Sequence, residues 1–146
     1  MRLPGSVLFA CNHNAIRSPM AAALLRHLQG RHIFVDSVGV RTLPIDPFTV
    51  AIMEEFGIGL RDHVAKSFED LEDMSFDLVI SLTPEAQHRA VEMTRSMACD
   101  VEFWPSLDPT VIEGSRAEVV AAYRSLRDSL WRRVLERFPA GPQGHV

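Results

Sequence analysis

The chain has little cysteine, little lysine and little tyrosine. It holds two cysteines, Cys11 and Cys99, one lysine, Lys66, and one tyrosine, Tyr123, in 146 residues. The cysteines lie far apart and neither belongs to a Cys-x-x-Cys pair, which argues against a disulfide-stapled scaffold. The six histidines have no metal-ligand spacing, so no metal and no other cofactor is expected. No apolar run is long enough for a membrane span or a signal peptide, so no membrane partner is expected and the cytoplasm is the default location. No basic run occurs either and the net charge is −4, which excludes the positive face that nucleic-acid binding needs.

What is present suits a single globular domain. Apolar content is 47% and charged content 23%. Residues 1–138 read as one domain, and the Gly- and Pro-containing stretch 139–146 reads as a flexible tail. Apolar runs predict strands at 6–10, 33–37, 76–82 and 101–104. Helical spacing predicts helices at 17–29, stopped by Gly30, and from Pro47 to about 56, closed by Gly57. It also predicts a short helix from 68 to about 74 and a longer one from Pro84 to about 97. A last helix starts at Ser115, where Ser115 and Glu118 form a capping box and Val119, Tyr123, Leu126, Leu130 and Val134 form a buried stripe. Strict β-α alternation predicts an α/β fold with a parallel sheet between helical layers. In such sheets ligands sit beyond the carboxyl ends of strands.

Cys11 stands at that position. It ends the first apolar run and opens the loop CNHNAI, and the Ala/Leu-rich helix begins at Arg17. The residues alone leave two readings open. Cys11 is either a small apolar residue closing a buried strand or a nucleophile in an anion cradle. In the second reading the backbone N–H groups of residues 12–17 and the start of the following helix face an oxyanion. Arg17 grips two of its oxygens in fork geometry. Ser18 donates its hydroxyl to the sulfur, and Asn14 takes a left-handed backbone and ties the loop together. The substrate-binding candidates are Asn12, His13, Asn14, Ala15, Ile16, Arg17 and Ser18, with Asn14 and Ser18 also supporting the loop.

CNHNAIRSPMA after a short N-terminal strand resembles the low-molecular-weight protein tyrosine phosphatase family, whose fold is shared by thioredoxin-coupled arsenate reductases. The likeness continues through DSVGV at 36–40, the segment 46–71, FDLVISL at 76–82, WPSLDP at 104–109 and the last helix. It implies a three-layer α/β/α fold with a four-stranded parallel flavodoxin-like sheet in the order 2-1-3-4. It implies a two-step displacement with Cys11 as nucleophile, Arg17 as oxyanion holder and Asp108 as general acid and then base. The substrate would be a phosphorylated protein or a small aryl phosphate. Asp46-Pro47 repeats the Asp-Pro pair of 108–109 but reads as a helix start.

Several positions depart from the tyrosine phosphatases. His13 stands where that family usually carries Gly, and Ile16 where a second cysteine is frequent. Ala22 replaces a common acid, Thr110 and Val111 replace aromatics, and the segment 40–46 is short and lacks an aromatic. These departures lean toward arsenate chemistry as the alternative activity. The thioredoxin-coupled relay, however, needs cysteines after the third strand, where this chain has Ser81-Leu82-Thr83-Pro84-Glu85. A transferase using an external small thiol remains compatible, as does a third reading, a phosphate-cradle binding protein. Cys99, Trp104 and Tyr123 are expected in the core. His63 and Lys66 are expected to make local bonds and carry surface charge, and Arg41 is expected to do the same rather than flank the mouth of the site.

Overall fold

The computed structural model describes residues 3–72 and 75–140. Four strands, β1 (Ser6–Cys11), β2 (Phe34–Gly39), β3 (Leu78–Ser81) and β4 (Asp100–Phe103), form one all-parallel sheet in the order β2-β1-β3-β4. Four helices alternate with them: α1 (Arg17–Gln29), α2 (Pro47–Glu54), α3 (Pro84–Met93) and α4 (Arg116–Arg137). The expected order and parallel sheet are both present.

β1 lies at the centre, and Val7 to Ala10 are fully buried. A strand covered on both faces needs apolar residues at every position, which is why this segment reads as a continuous run. Side chains alternate between the faces. Val7, Phe9 and Cys11 join the core built from α1, α2 and α4, while Leu8 and Ala10 join the core under α3. These are the three layers.

The helix ends follow their local chemistry. Asp46 caps α2 by accepting from the N–H groups of Phe48 and Thr49, and Thr83 caps α3 by accepting from Ala86. The Ser115–Glu118 capping box is present at α4. Gly57 takes φ +73 and closes the turn after α2. Gly30 ends α1 in the right-handed region at φ −61, with no left-handed cap.

Several boundaries are shorter than the spacing predicts. α3 stops at Met93, because the N–H groups of Thr94, Arg95 and Ser96 bond to carbonyls three residues back and the Thr94 hydroxyl takes the Val91 carbonyl. The helix expected over 68–74 is a 3₁₀ turn, Phe68–Asp70, held by a Ser67–Asp70 capping box, and its last two expected residues lie outside the described ones. Of the expected tail, the Pro139 carbonyl accepts from Gln29, and 141–146 lie outside the described residues.

α4 fastens α2 in place. Arg127 is nearly buried, donates to the Ile52 carbonyl at 2.8 Å and to Glu55 at 2.7 Å, and lies 4.0 Å over the Phe56 ring. Arg124 grips the same carboxylate. The two guanidinium groups hold the Glu55 carboxyl down to about 2. This junction fixes the helix whose first turn borders the site.

Candidate active site

Cys11 is the last residue of β1 and is 3% exposed, so its sulfur opens toward the loop that follows. α1 begins with Ile16 as an N-cap that offers no side-chain acceptor, and no acidic residue occupies its first turn. No side-chain cap and no carboxylate of its own first turn therefore offset the positive end of this helix. The Ser18 N–H donates to Cys11 Sγ at 3.4 Å, and Ser18 Oγ lies 2.9 Å from the sulfur.

Asn14 organises the loop. Among the described residues it is the one non-glycine with positive φ, at 53°, and it is fully buried. Its amide nitrogen donates to Ser18 Oγ and Ser37 Oγ, both at 2.9 Å, and its oxygen accepts the Lys66 N–H at 3.0 Å. His63 Nε2 donates to the Asn14 carbonyl at 3.0 Å. A carbonyl only accepts, so the proton of His63 is on Nε2. Burial holds His63 below the usual imidazole range despite that bond.

Ser18 has one hydroxyl proton and two acceptors in reach, Cys11 Sγ at 2.9 Å and the Val38 carbonyl at 3.2 Å, while Asn14 fills its acceptor side. A thiol at Cys11 can donate to Ser18, whose proton then goes to Val38. A thiolate requires that proton to turn to sulfur.

The loop rests on Gly39. A Cβ there would lie 2.6 Å from the Asn14 nitrogen and 2.7 Å from the His13 carbonyl carbon. Only glycine allows this approach. The register that pairs Cys11 with Gly39 and the bridge from Gly39 to Ser67 bring three distant segments behind one loop.

In front of the sulfur is a cavity of about 470 Å³, whose lining includes Cys11, His13, Arg17, Asp46 and Asp108. Ala15 and Ile16 also line it, and its far wall is aliphatic, made by Leu43, Pro44 and Ile45. Arg17 Nη1 donates to the Ser106 carbonyl at 3.0 Å and so reaches the loop that carries Asp108. Asp108 Oδ1 accepts from Thr110 N at 2.9 Å and Thr110 Oγ1 at 2.6 Å. Burial works to raise the Asp108 carboxyl, but the two Thr110 bonds and the nearness of Arg17 and His13 outweigh it and hold the group below its ordinary value.

The structure thus brings Cys11, His13, Ala15, Ile16, Arg17 and Asp108 around one cavity. Three binding candidates do not line it. Asn12 accepts from Thr83 at 2.6 Å, and Asn14 and Ser18 are buried behind the loop. Asp46 does cap α2, yet it also borders the cavity and accepts from Tyr123 at 2.9 Å. Burial and the Asp46 carboxylate push the Tyr123 phenol well up. Arg41 pairs with Glu85 on the surface, and Lys66 pairs with Asp36 at 2.7 Å. Ser37, Gly39 and the Ser106 carbonyl had no local signature of a site role beyond the Ser-x-Gly turn at 37–39.

Cys99 precedes β4 at the amino end of the sheet, whereas Cys11 is at the carboxyl end of β1. From the strand register their separation is on the order of 19 Å at about 3.3 Å per residue and 4.8 Å per strand. A disulfide needs Cα atoms within about 7 Å.

A cysteine at the carboxyl end of a central parallel strand, wrapped by an anion-cradle loop, defines a class of oxyanion-handling α/β proteins. The low molecular weight phosphotyrosine protein phosphatase family matches residues 6–138, and the chain belongs to that family. It is 32% identical over 151 residues to a low molecular weight protein-tyrosine-phosphatase of Streptomyces coelicolor, with 94% of this chain and 89% of that protein covered. It is 30% identical over 128 residues to a glutaredoxin arsenate reductase of Synechocystis sp., with 88% and 92% covered. A solved arsenate reductase in its phosphate-binding state superposes with a TM-score of 0.69 at 26% identity, over 90% of this chain and 94% of that one. The relatives thus carry both kinds of name. Among the described residues no helix is long and apolar enough to cross a membrane, and no cluster of metal-binding side chains occurs.

Proposed function

We propose that the chain hydrolyses phosphoric monoesters of the aryl phosphate and phosphotyrosine type, with Cys11 as nucleophile. One observation carries this reading: Cys11, Arg17 and Asp108 line a single cavity. The Cys11 thiolate attacks phosphorus, an S–P bond forms, and the bond to the leaving oxygen breaks. Asp108 gives its proton to that oxygen. In the second step Asp108 takes a proton from water, whose oxygen attacks phosphorus, and the S–P bond breaks to return the thiolate. Arg17 and the N–H groups of the loop hold the three equatorial oxygens in both steps. The Ser18 hydroxyl turns to the departing sulfur. Free Asp108 favours the carboxylate. A phosphate dianion offsets the Arg17 charge and makes protonation easier, which suits turnover in mild acid.

Arsenate reduction is the second reading, favoured by the reductase names among the relatives and by a far wall without aromatics. With Cys99 out of reach, the electrons must come from two equivalents of an external thiol, giving arsenite and a disulfide. A side-by-side assay separates the two. Rapid hydrolysis of p-nitrophenyl phosphate at pH 5–6, abolished in Cys11→Ser, is expected. Poor hydrolysis with rapid thiol-dependent arsenite formation would reverse the assignment. Asp108→Asn should slow phenolic leaving groups far more than very acidic ones, and equal losses would remove its acid role.

A further inference from the structure

On the other side of Asp108 lies a second hollow of about 490 Å³, between residues 105–112 and α4. Asp108 is a wall of both hollows. The lip of the second is apolar and exposed: Leu107 at 85%, Val111 at 67% and Ile112 at 43%. Single exposed apolar residues are ordinary, but a cluster beside a candidate active site marks a contact surface.

The α4 side has a different character. Ser125, Ser129 and Arg132 line it at helical spacing. Among the described residues Arg132 has no ion pair, hydrogen bond or aromatic ring against it, whereas Arg124, Arg127 and Arg137 of the same helix are ion-paired and Arg116 and Arg133 lie over the Phe48 and Trp104 rings. The hollow therefore offers an apolar lip, small hydroxyls and one unneutralised cation. An extended polypeptide can use all three, through a side chain, its main-chain amides and a carboxylate. An acyl chain would use only the lip.

Position selects the occupant. In the proposed reaction the leaving oxygen must sit beside Asp108, so the chain that carries it emerges at the Asp108 ridge. The second hollow begins there.

We infer that this hollow is a docking subsite for the polypeptide flanking the phosphorylated residue, taking an apolar side chain against Leu107, Val111 and Ile112 and a carboxylate against Arg132. The inference rests on the phosphatase reading.

The test uses phosphotyrosine peptides in matched pairs, with Leu and Glu or with two Gly residues placed on either side of the phosphotyrosine. At least one Leu-Glu peptide should show about tenfold higher kcat/KM than its Gly-Gly partner. That is the size expected from partial burial of one apolar side chain plus one solvent-exposed ion pair. Arg132→Glu, and separately Ser125→Trp, which fills the hollow, should bring the pair within twofold. p-Nitrophenyl phosphate, too small to reach the hollow, should be hydrolysed within twofold of the parent rate by both variants. A second arm titrates fluorescent versions of the same peptides into Cys11→Ser protein, where turnover is not needed, and expects the same preference in Kd. Equal constants for the paired peptides, or a preference that survives both variants, overturns the subsite. So does concentration-dependent dimerisation that Arg132→Glu abolishes, since a second copy would then occupy the groove. Loss of p-nitrophenyl phosphate hydrolysis in the parent protein would instead overturn the phosphatase reading, and the binding arm would still report on the hollow.

Discussion

Arg17 donates to the Ser106 carbonyl at 3.0 Å, which joins the anion-cradle loop to the loop that carries Asp108. One guanidinium thus has two tasks, to face the cavity and to hold the loop that carries Asp108. Lysine has the charge but neither the planar fork nor a second nitrogen for Ser106. Arg17→Lys should therefore lower kcat/KM for an aryl phosphate by about 10²–10³, the range for removing a preorganised oxyanion contact. The drop should be visible in kcat as well as KM. A change confined to KM would show that Arg17 contributes charge alone.

Gly39 supports the same loop from behind. The nearest atom to an added Cβ is the Arg41 carbonyl oxygen at 2.4 Å, and the others belong to the backbone of the cradle. Backbone atoms cannot swing aside as a flexible side chain can. Gly39→Ala should displace residues 13 and 14, weaken inhibition by phosphate or vanadate at least tenfold and cost about 2 kcal/mol of stability. Unchanged vanadate inhibition would show that the cradle does not depend on this contact.

The parts of the site that were legible in the sequence are those made by neighbours in the chain. Cys11, Arg17 and Ser18 fall on one strand-loop-helix corner, and the Ser115–Glu118 capping box lies within one turn. Ser37 and His63 reach Asn14 only because parallel register places the ends of β1 and β2 side by side and the bridge at Ser67 follows. No local pattern encodes that meeting. Asp46 shows the limit from the other side. Its role as helix cap was readable from Asp-Pro, but its place on the cavity wall depends on where α4 and Tyr123 hold it. The end of α3 is not legible in the spacing, because the apolar pattern continues to Met97 while the backbone tightens after Met93.

Glu55 makes the α2–α4 junction sensitive to acid. Its carboxyl is held to about 2 by Arg124 and Arg127, against about 4.3 in an unfolded chain. A depressed folded value means that the carboxylate stabilises the fold fully above the unfolded value and loses that effect as pH falls through the folded one. Glu55→Gln should therefore lower Tm at pH 7. The gap between variant and parent should shrink steadily from about pH 4.5 to about pH 2. Because the carboxylate faces solvent, 0.5 M NaCl should also narrow it at pH 7. A gap independent of pH would mean that the packing of Arg127 over Phe56, rather than the charge, links the helices.

Thr49 gives a prediction of the opposite sign. It lies in the first turn of α2, fully buried, and its N–H is used by Asp46. Its hydroxyl is the one buried side-chain polar atom without a hydrogen-bond partner among the described residues. An unpaired buried polar group costs about 1–3 kcal/mol. Valine keeps the branched shape and removes the hydroxyl, and the helix tolerates either residue nearly equally. Thr49→Val should thus raise stability by about 1 kcal/mol, a gain of roughly 2–4 °C in Tm for a chain of this size. Activity toward aryl phosphates should stay unchanged, since Thr49 does not line the cavity. A fall in Tm would show that the hydroxyl is satisfied in solution, by a buried water or by rotation onto a carbonyl of the preceding turn.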